Sequence, residues 1–322
     1  MLISVCIPAM RPTTVVDAVA SILRQTWTDW ELIVVGQGQD ADLQPRVEQV
    51  AGMDGRVRYM HLPRRGLSRA RNAAIALSRG EVIAMTDDDC EASSDWLAVL
   101  ANCFAEAPEV GLVGGALLAP EMAGRARATC PALSPADAVY DPRAMGRRAP
   151  PGWDWIGGNF AVRRDVLERA GAFDEYLGAG ALFPSGEDTD YKLRLEALGV
   201  IMRSTPRAVV HHTYGARYGV GAGLRHSRNY ARGNGALAAK LTLQGDVRGE
   251  EWLRMATRES SLDWLRDKTP HRLPVSLLRL RHFRHAYHEC LARFRVDPAQ
   301  MTLQPLDAAL SEDRQGDLSV RA

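Results

Sequence analysis

The stretch Gly80-Glu81-Val82-Ile83-Ala84-Met85-Thr86-Asp87-Asp88-Asp89-Cys90 joins a short apolar run to three consecutive carboxylates. The run from Val82 to Met85 follows a turn residue and predicts a buried β-strand. Acidic residues at the carboxyl end of such a strand lie where open α/β sheets bind ligands. Adjacent negative charges repel one another, and a divalent cation that also bridges to phosphate oxygens would offset the repulsion. The stretch therefore predicts a metal site at the edge of a sheet, with a solvated acidic turn as the alternative.

The segments before this stretch alternate between strand-like and helix-like patterns. Apolar runs and helical spacing predict strands over residues 2–7, 31–35 and 57–60, and helices over residues 12–25, 43–50 and 68–78. Pro8 is expected to end the first strand. Repeated alternation of strands and helices is typical of a parallel sheet with helices on both faces, so the sequence predicts an α/β fold.

Four arginines surround the predicted start of the third helix: Arg64, Arg65, Arg69 and Arg71. Ser68, which lies between them, is a candidate helix cap. The backbone N–H groups of a helix N-terminus and nearby guanidinium groups bind anions together. This segment therefore predicts an anion site close to the acidic turn, with a basic surface helix as the alternative.

The chain after the acidic stretch predicts a helix over residues 96–107 and a strand over residues 110–118. Residues 120–152 then lose periodicity and contain six prolines, which is more typical of a functional loop than of a linker. We treat them as a candidate acceptor loop, with a surface excursion as the alternative. The core resumes at residues 153–162, where Gly157 and Gly158 permit close backbone approach and Asn159 offers both donor and acceptor atoms.

Two polar pairs follow in the second half of the chain. Glu187-Asp188 open a predicted helix just after the glycine-rich residues 178–180, an arrangement that suits a site closing over a substrate. Helix capping and the helix dipole offer a simpler explanation for this pair. A strand predicted over residues 200–210 ends in His211-His212. Because adjacent side chains point to different sides, at most one of these histidines faces the crevice.

The composition excludes several classes of protein. Among 322 residues, 40 basic side chains are balanced by 39 acidic ones, which argues against nucleic acid as a partner because a phosphate-tracking surface needs a cationic excess. Five cysteines without zinc-type spacing indicate free thiols in a reducing cytosol. No secretory signal and no run of about 18 apolar residues are found, so we expect a cytoplasmic protein that does not span a membrane.

The character of the chain changes at about residue 218, and the C-terminal third predicts an Ala/Leu-rich helix after residue 234 that runs through residue 243, with further helices over residues 251–266 and 274–294. The segment 274–295 is strongly basic and amphipathic, and three interpretations stay open for it. It can lie on the inner, anionic surface of a membrane, pack on a partner subunit as in a homodimer, or pack on the sheet. Residues 311–322 are expected to be disordered.

Taken together, these segments resemble the glycosyltransferase family 2 enzymes, which have the GT-A fold, over about residues 3–240. The matching segments are Ile7-Pro8, Gly66–Asn72, Asp87-Asp88-Asp89, Gly157-Gly158-Asn159, Glu187-Asp188 and His211. The resemblance implies a GT-A domain over residues 1–215, with a nucleotide-binding half at 1–90 and an acceptor half at 91–215. It also implies that the central sheet is mostly parallel and flanked by helices. Residues 216–322 are then a C-terminal helical extension.

The resemblance also implies an activity and roles for single residues. It implies an inverting hexosyl- or deoxyhexosyltransferase that moves a sugar from a nucleoside diphosphate sugar to an acceptor hydroxyl, in cell-surface polysaccharide or glycolipid assembly. Asp188 is then the general base and Glu187 supports the site. Mn²⁺ or Mg²⁺ is held by Asp87, Asp89 and His211, with His212 as the less favoured choice. The implied nucleotide-sugar contacts are Pro8, Arg11, Gln37, Arg69, Arg71, Asp87 and Asp88, and the implied acceptor contacts are Trp155, Gly158 and Asn159.

One segment departs from the family pattern. Many members carry paired acids after the second strand, where this chain has Gly36-Gln37-Gly38. Gln37 offers an amide donor and acceptor to a base edge, and uridine, thymidine and guanosine all stay open. Two other functions compete. A nucleotidyltransferase would need a glycine-rich phosphate loop, which Met10–Thr13 does not supply, and an inactive subunit that only binds nucleotide sugars is the non-enzymatic alternative.

Overall fold

The computed structural model describes residues 1–39, 41–120, 128–266 and 273–307. The chain forms two compact units. The first contains Met1–Phe173 and Glu187–Gly223, and the second contains Asp174–Gly186 and Leu224–Ala322. The boundary at Gly223 lies close to the predicted one at residue 215. Residues 174–186, which the prediction included in the segment 91–215, belong to the same unit as the C-terminal helices.

The first unit contains the central sheet and its flanking helices. Its strands are β1 (Ile3–Ala9), β2 (Trp30–Gln37), β3 (Val57–Leu62), β4 (Val82–Met85), β5 (Glu91–Ala92), β6 (Val110–Leu118), β7 (Ala128–Thr129), β8 (Ala138–Tyr140), β9 (Phe160–Arg163), β10 (Ile201–His211) and β11 (Arg217–Tyr218). Its helices are α1 (Val15–Leu23), α2 (Leu43–Ala51), α3 (Leu67–Leu77), α4 (Trp96–Glu106), α5 (Pro142–Met145), α6 (Arg164–Ala170) and α7 (Glu187–Ala197).

Nine of the described strands form one sheet in the order β3-β2-β1-β4-β9-β6-β10-β5, with β8 paired to β10. The half made by β3, β2, β1 and β4 is parallel. In the other half β10 runs parallel to β6, whereas β9, β5 and β8 run antiparallel to their neighbours. The predicted α/β architecture is therefore confirmed. The parallel arrangement holds for the strands within residues 1–90, and the strands that follow form a mixed arrangement.

The central strands bury apolar side chains on both faces of this sheet. Val5 and Ile7 belong to a core that also contains apolar residues of α1 and α4. Cys6 and Ile33 belong to a second core that contains residues of α3 and α7. Because side chains of a strand alternate between faces, these two cores cover opposite sides of the sheet. The loops after the strands remain at the sheet edge, where the polar residues collect.

Two local predictions are corrected by the structure. β1 does not end at Pro8 but continues to Ala9. Pairing with β4 stops at Cys6, so only the β2 side of the strand remains paired beyond that point, and a strand paired on one side tolerates the missing N–H of proline. The segment 120–152 is not wholly irregular, because Ala138–Tyr140 joins the central sheet beside β10 and Pro142–Met145 forms a helical turn.

The second unit is mainly helical. It contains α8 (Val220–Leu243), whose first turn belongs to the first unit, α9 (Arg248–Arg266), α10 (Leu273–Arg293) and the antiparallel pair β12 (Phe294–Val296) and β13 (Leu303–Pro305). Asp174 fixes residues 174–186 to this unit, since its fully buried carboxylate accepts from Lys240 Nζ at 2.8 Å and from the Leu303 N–H at 2.7 Å. No helix among the described residues has the length and apolar character needed to cross a bilayer. The tail 311–322 lies outside the described residues.

Candidate functional site

The acidic turn begins where β4 ends, beside the carboxyl end of β1. Asp88 is buried in this turn and accepts hydrogen bonds from the N–H groups of Met10 at 2.6 Å and Arg11 at 2.8 Å. Its second oxygen accepts from Nη1 of Arg11 at 2.9 Å. Asp88 therefore fixes the loop that follows β1. Its expected role as a nucleotide contact does not match this structure, because the loop uses both carboxylate oxygens.

Asp89 lies at the centre of the site. Its Oδ2 accepts from Nη1 of Arg11 at 2.7 Å, and its Oδ1 lies 3.3 Å from Nε2 of His212. Burial opposes ionisation of Asp89, but the hydrogen bond with His212 and the charge of Arg11 outweigh it and lower the pKa of Asp89 to about 2. Asp89 is therefore an anion at any physiological pH.

His212 is oriented by a backbone carbonyl. Its Nδ1–H donates to the Pro131 carbonyl oxygen at 2.9 Å, which directs Nε2 towards Asp89. Burial favours the neutral ring, but the hydrogen bond and charge of Asp89 outweigh it and raise the pKa of His212. Gly215 lies flat against the ring, since a Cβ there would come within 2.2 Å of imidazole atoms. A side chain at this position would displace the histidine.

The two histidines of the predicted pair lie in different surroundings, and His211, the favoured metal ligand, is the one farther from the acidic turn. His211 is exposed, and its Nε2 lies 3.5 Å from Oγ of Ser93, away from the acidic turn. Its backbone is still paired in β10, opposite Glu91 on one side and Leu118 on the other. The two histidines point to different sides of the chain. His212, the residue just after the strand, is the one that faces Asp89.

A second group of charges surrounds Arg71. This buried side chain donates to Oε1 of Glu187 at 3.1 Å and to the Gly157 carbonyl oxygen at 2.8 Å. Its Nη2 also lies 3.5 Å from Oδ1 of Asp87. Arg71 is only 1% exposed, so it connects three segments of the first unit internally. This placement differs from the predicted contact with a diphosphate.

Asp87 and Glu187 carry raised pKa values. Burial, only partly offset by the charge of Arg71, raises the pKa of Asp87 to about 6. Burial and repulsion by Asp188 raise the pKa of Glu187 to about 7. Oδ1 of Asp87 is enclosed and accepts no hydrogen bond among the described residues. Both carboxylates therefore lie where additional positive charge would stabilise them.

Asp188 is half-buried at the first turn of α7. Its Oδ2 accepts from the Gly157 N–H at 3.1 Å, and its Oδ1 accepts from the Thr189 N–H at 2.7 Å. A Cβ on Gly157 would lie 3.3 Å from Oδ2 of Asp188, and one on Gly158 would lie 3.1 Å from Oδ2 of Asp87. The glycine pair thus lies against carboxylates contributed by two distant parts of the chain.

Two of the three predicted acceptor contacts are core residues. Asn159 has no exposed surface; its Nδ2 donates to the carbonyl oxygens of Ala116 at 2.7 Å and Ala208 at 2.9 Å, and its Oδ1 accepts from the Trp96 indole N–H at 2.9 Å. Trp155 is buried against Phe160. Their hydrogen bonds and packing stabilise the sheet, so these acceptor assignments are corrected. Of the three predicted acceptor contacts, only Gly158 lies beside a carboxylate, that of Asp87.

The remaining predicted nucleotide contacts lie on the first two strands and on α3. Gln37 is buried, and its Oε1 accepts from the Gly66 N–H at 2.8 Å, which fixes the entry to α3. This bond uses the amide oxygen that was expected to read a base edge. Pro8 is buried within β1, and Arg69 is half-buried in the first turn of α3.

The acidic turn and His212 form a group that fits a divalent cation. Ligand atoms of Asp89, Cys90 and His212 lie within 4.8 Å of one another. Carboxylate oxygens with one imidazole suit Mn²⁺ or Mg²⁺; Asp87, expected as a metal ligand, is not part of this group, and its enclosed Oδ1 lies beside Arg71. Sequence reasoning missed Cys90, although it directly follows the aspartate triplet. Burial raises the pKa of its thiol well above the usual value, and the thiol hydrogen-bonds to Asp89 at 3.7 Å.

Comparisons with known proteins show which proteins this chain resembles. Residues 4–171 match the family model for glycosyl transferase family 2. The chain is 28% identical over 166 residues to a glucosyl-dolichyl phosphate glucuronosyltransferase of Haloferax volcanii, covering 50% of this chain and 51% of that protein. It is 29% identical over 180 residues to the uncharacterized glycosyltransferase EpsJ of Bacillus subtilis, covering 54% and 52% respectively. The chain thus spans about half the length of these relatives.

Two solved structures share the fold. A mannosyltransferase, PcManGT, from Pyrobaculum calidifontis in complex with GDP-Man and Mn²⁺ superposes with a TM-score of 0.52 at 16% identity, covering 98% of this chain and 76% of that one. S. aureus TarS 1–349 gives a TM-score of 0.55 at 14% identity, covering 90% and 82%. At these identities the likeness confirms the GT-A fold, and it carries no information on substrates.

Proposed function

This chain belongs to glycosyl transferase family 2, and we propose that it is an inverting, metal-dependent glycosyltransferase that uses a nucleoside diphosphate sugar. One observation carries the proposal. Carboxylates from the turn after β4 and from the start of α7 lie against the same glycine pair, Gly157-Gly158. Transfer of a sugar to a hydroxyl group needs a general base for the hydroxyl proton and a cation for the departing diphosphate. Both must lie at the same edge of the sheet.

Asp89 and His212 are the proposed metal ligands. Asp89 is already ionised, and the bond from His212 Nδ1–H to Pro131 leaves Nε2 as the coordinating atom. A bound Mn²⁺ or Mg²⁺ would supply Lewis acidity to the departing diphosphate. The chain's own residues contribute the ligands, and Asp88 holds the loop after β1, which carries Arg11. Arg11, whose side chain is 49% exposed, adds positive charge at the same edge.

Asp188 is the proposed general base. It is half-buried and is held by the Gly157 N–H. The raised pKa of Glu187 supports this assignment, because repulsion between the two neighbouring carboxylates is relieved when Glu187 is protonated. Asp188 then accepts the proton of the acceptor hydroxyl in a single displacement, and the anomeric configuration inverts.

The acceptor and the base of the nucleotide are proposed only as classes. The relative from Haloferax volcanii is named a glucosyl-dolichyl phosphate glucuronosyltransferase, which favours a lipid-linked glycan as acceptor and a role in polysaccharide or glycolipid assembly. Because the Gln37 amide oxygen is used by Gly66, the choice among uridine, thymidine and guanosine rests on other contacts. A nucleotide-sugar panel therefore comes first in the experiment.

The experiment measures binding and transfer separately. Mn²⁺-dependent thermal stabilisation by a panel of nucleotide sugars identifies the substrate, since a ligand that binds the folded state raises its stability. With that substrate, we expect Asp188→Asn to retain the stabilisation and to lose transfer by about 10²- to 10⁴-fold. Asp89→Asn should lose the Mn²⁺-dependent stabilisation.

The matched control is Asp165→Asn. Asp165 also lies in the first turn of a helix, α6, but it is exposed and outside the site, so binding and transfer should both be unchanged. Full transfer by folded Asp188→Asn would contradict the proposed base. Stabilisation without transfer to any acceptor in the wild type would favour the inactive binding subunit.

A further inference from the structure

Two helices of the second unit concentrate positive charge. The part of α8 in this unit carries three arginines and one lysine but no acidic residue, and α10 carries four arginines and one glutamate. The chain as a whole has a formal charge of only +1. Lys240 is internally paired with Asp174, but the arginines have few such partners. The charge of the chain is therefore strongly segregated.

The arginines of both helices converge. The backbones of α8 and α10 approach closely where Gly235 meets Phe283, because a Cβ at Gly235 would lie 2.2 Å from the Phe283 carbonyl oxygen. Burial and the nearby charges of Arg228, Arg232 and Arg281 lower the pKa of His282, which places these side chains within electrostatic range of one another. We call Arg228, Arg232, Arg281, His282 and His285 the cationic face.

The cationic face is only partly neutralised. Among the described residues, Glu289 is the acid that contacts it, with Nη2 of Arg232 at 3.3 Å and Nε2 of His285 at 3.9 Å. Glu289 also accepts from Arg293 at 2.7 Å. Arg228 and Arg281 are exposed and form no ion pair with the described part of the chain. They are free to meet an external anion.

Exposed leucines lie one helical turn from these charges. Leu224 precedes Arg228 by four residues, and Leu277 precedes Arg281 by four; residues at this spacing share a helix face. Leu278 stands in the same relation to His282. Their exposures are 38% for Leu224, 51% for Leu277 and 39% for Leu278. The face therefore combines cations with apolar side chains that remain in contact with water.

We propose that the cationic face and its leucines bind the surface of an anionic phospholipid bilayer. Basic side chains are attracted by anionic headgroups, and leucines on the same face gain by entering the headgroup boundary. A soluble polyanion would account for the arginines but would leave the exposed leucines without a partner. The combination of both on two crossing helices favours a lipid surface.

The first arm of the test removes charge. Cosedimentation with vesicles of phosphatidylcholine containing about one third phosphatidylglycerol should show binding that pure phosphatidylcholine does not give and that about 0.5 M salt weakens. Each basic side chain near such a surface contributes about fivefold to the partition coefficient, so the double variant Arg228→Gln, Arg281→Gln should lose roughly 25-fold. The double variant Arg24→Gln, Arg46→Gln removes two exposed arginines of the first unit and should bind like the wild type.

The second arm removes apolar surface. Leu277→Gln with Leu278→Gln should lower the partition coefficient roughly tenfold. Met53→Gln with Met145→Gln, at exposed positions of the first unit, is the matched control and should change nothing. Equal binding to neutral vesicles, or an unchanged charge variant, would overturn the proposal. Loss in the charge variant without loss in the leucine variant would show that the face recognises negative charge alone, which a soluble polyanion would also supply, and would overturn the proposal too. None of these measurements uses sugar transfer, so failure here leaves the proposed enzyme activity untouched.

Discussion

Replacing Asn159 by alanine tests whether this residue stabilises the sheet or contacts an acceptor. The side chain is fully buried and forms three hydrogen bonds, to Ala116, Ala208 and Trp96. The substitution leaves two carbonyl oxygens and one indole N–H without these partners. Each unsatisfied buried group costs about 1–3 kcal/mol. Allowing for relaxation, we expect the free energy of unfolding to fall by about 4 kcal/mol, a large part of the total of roughly 5–15 kcal/mol.

Urea unfolding followed by tryptophan fluorescence measures this loss, with the slope against denaturant checked for constancy. Asn102→Ala is the matched control, because Asn102 is exposed on α4, and its effect should stay within about 0.5 kcal/mol. An acceptor contact would instead change KM and leave stability near the wild-type value. A loss below about 1 kcal/mol for Asn159→Ala would refute the argument, since it would mean that the three bonds do not stabilise the folded state.

Three further predictions concern charges. Calorimetric titration with Mn²⁺ should show binding lost in His212→Ala and kept in His211→Ala, and the reverse result would restore the original choice of ligand. In metal-free buffer, the pKa of Glu187 is about 7, against its usual 4.5, so the folded state binds the proton more tightly. The free energy of unfolding of the wild type should therefore fall from pH 4.5 to pH 7 relative to Glu187→Gln, and parallel curves would contradict this. Lys240→Met leaves the buried carboxylate of Asp174 uncompensated, so urea unfolding should show a loss of about 3–5 kcal/mol, and a loss below about 1 kcal/mol would show that the pair is not intact.

The alternation of strands and helices early in the chain, and the position of the three aspartates at the carboxyl end of a buried strand, could be predicted from local patterns. The run from Val82 to Met85 is buried on both faces of the sheet, and its hydrophobicity alone indicates this. The acids that follow must then lie at the carboxyl edge. Such predictions depend only on how apolar and polar side chains follow one another along one segment. They do not require knowledge of what packs against the segment.

The roles of the three aspartates could not be predicted, because the residues are chemically identical. Asp88 turns towards the loop after β1, Asp89 towards His212, and Asp87 towards Arg71. The direction of each carboxylate is set by the backbone turn and by partners from distant segments. A sequence pattern identifies the group but not the contact that each member makes.

The same reason explains the error at Asn159. A glycine pair followed by an amide is compatible with a ligand contact, and the sequence offers no sign of the donor and acceptors that surround this amide. Those partners come from α4, β6 and β10. Only the pairing of β9 with β6 brings Asn159 beside them. Long-range strand pairing thus decided whether a polar side chain became a structural or a functional one.

The raised pKa values of Asp87 and Glu187 connect the electrostatics of the site to its proposed chemistry. The cationic side chains that contact the carboxylates, Arg11, Arg71 and His212, are sufficient to keep Asp89 ionised, with a pKa of about 2. Arg71 does not offset the burial of Asp87 and Glu187, which raises their pKa values to about 6 and about 7. A group that supplies positive charge there would lower both pKa values and release protons. Buried carboxylates that resist ionisation are a physical reason to propose that a cation binds at this edge of the sheet.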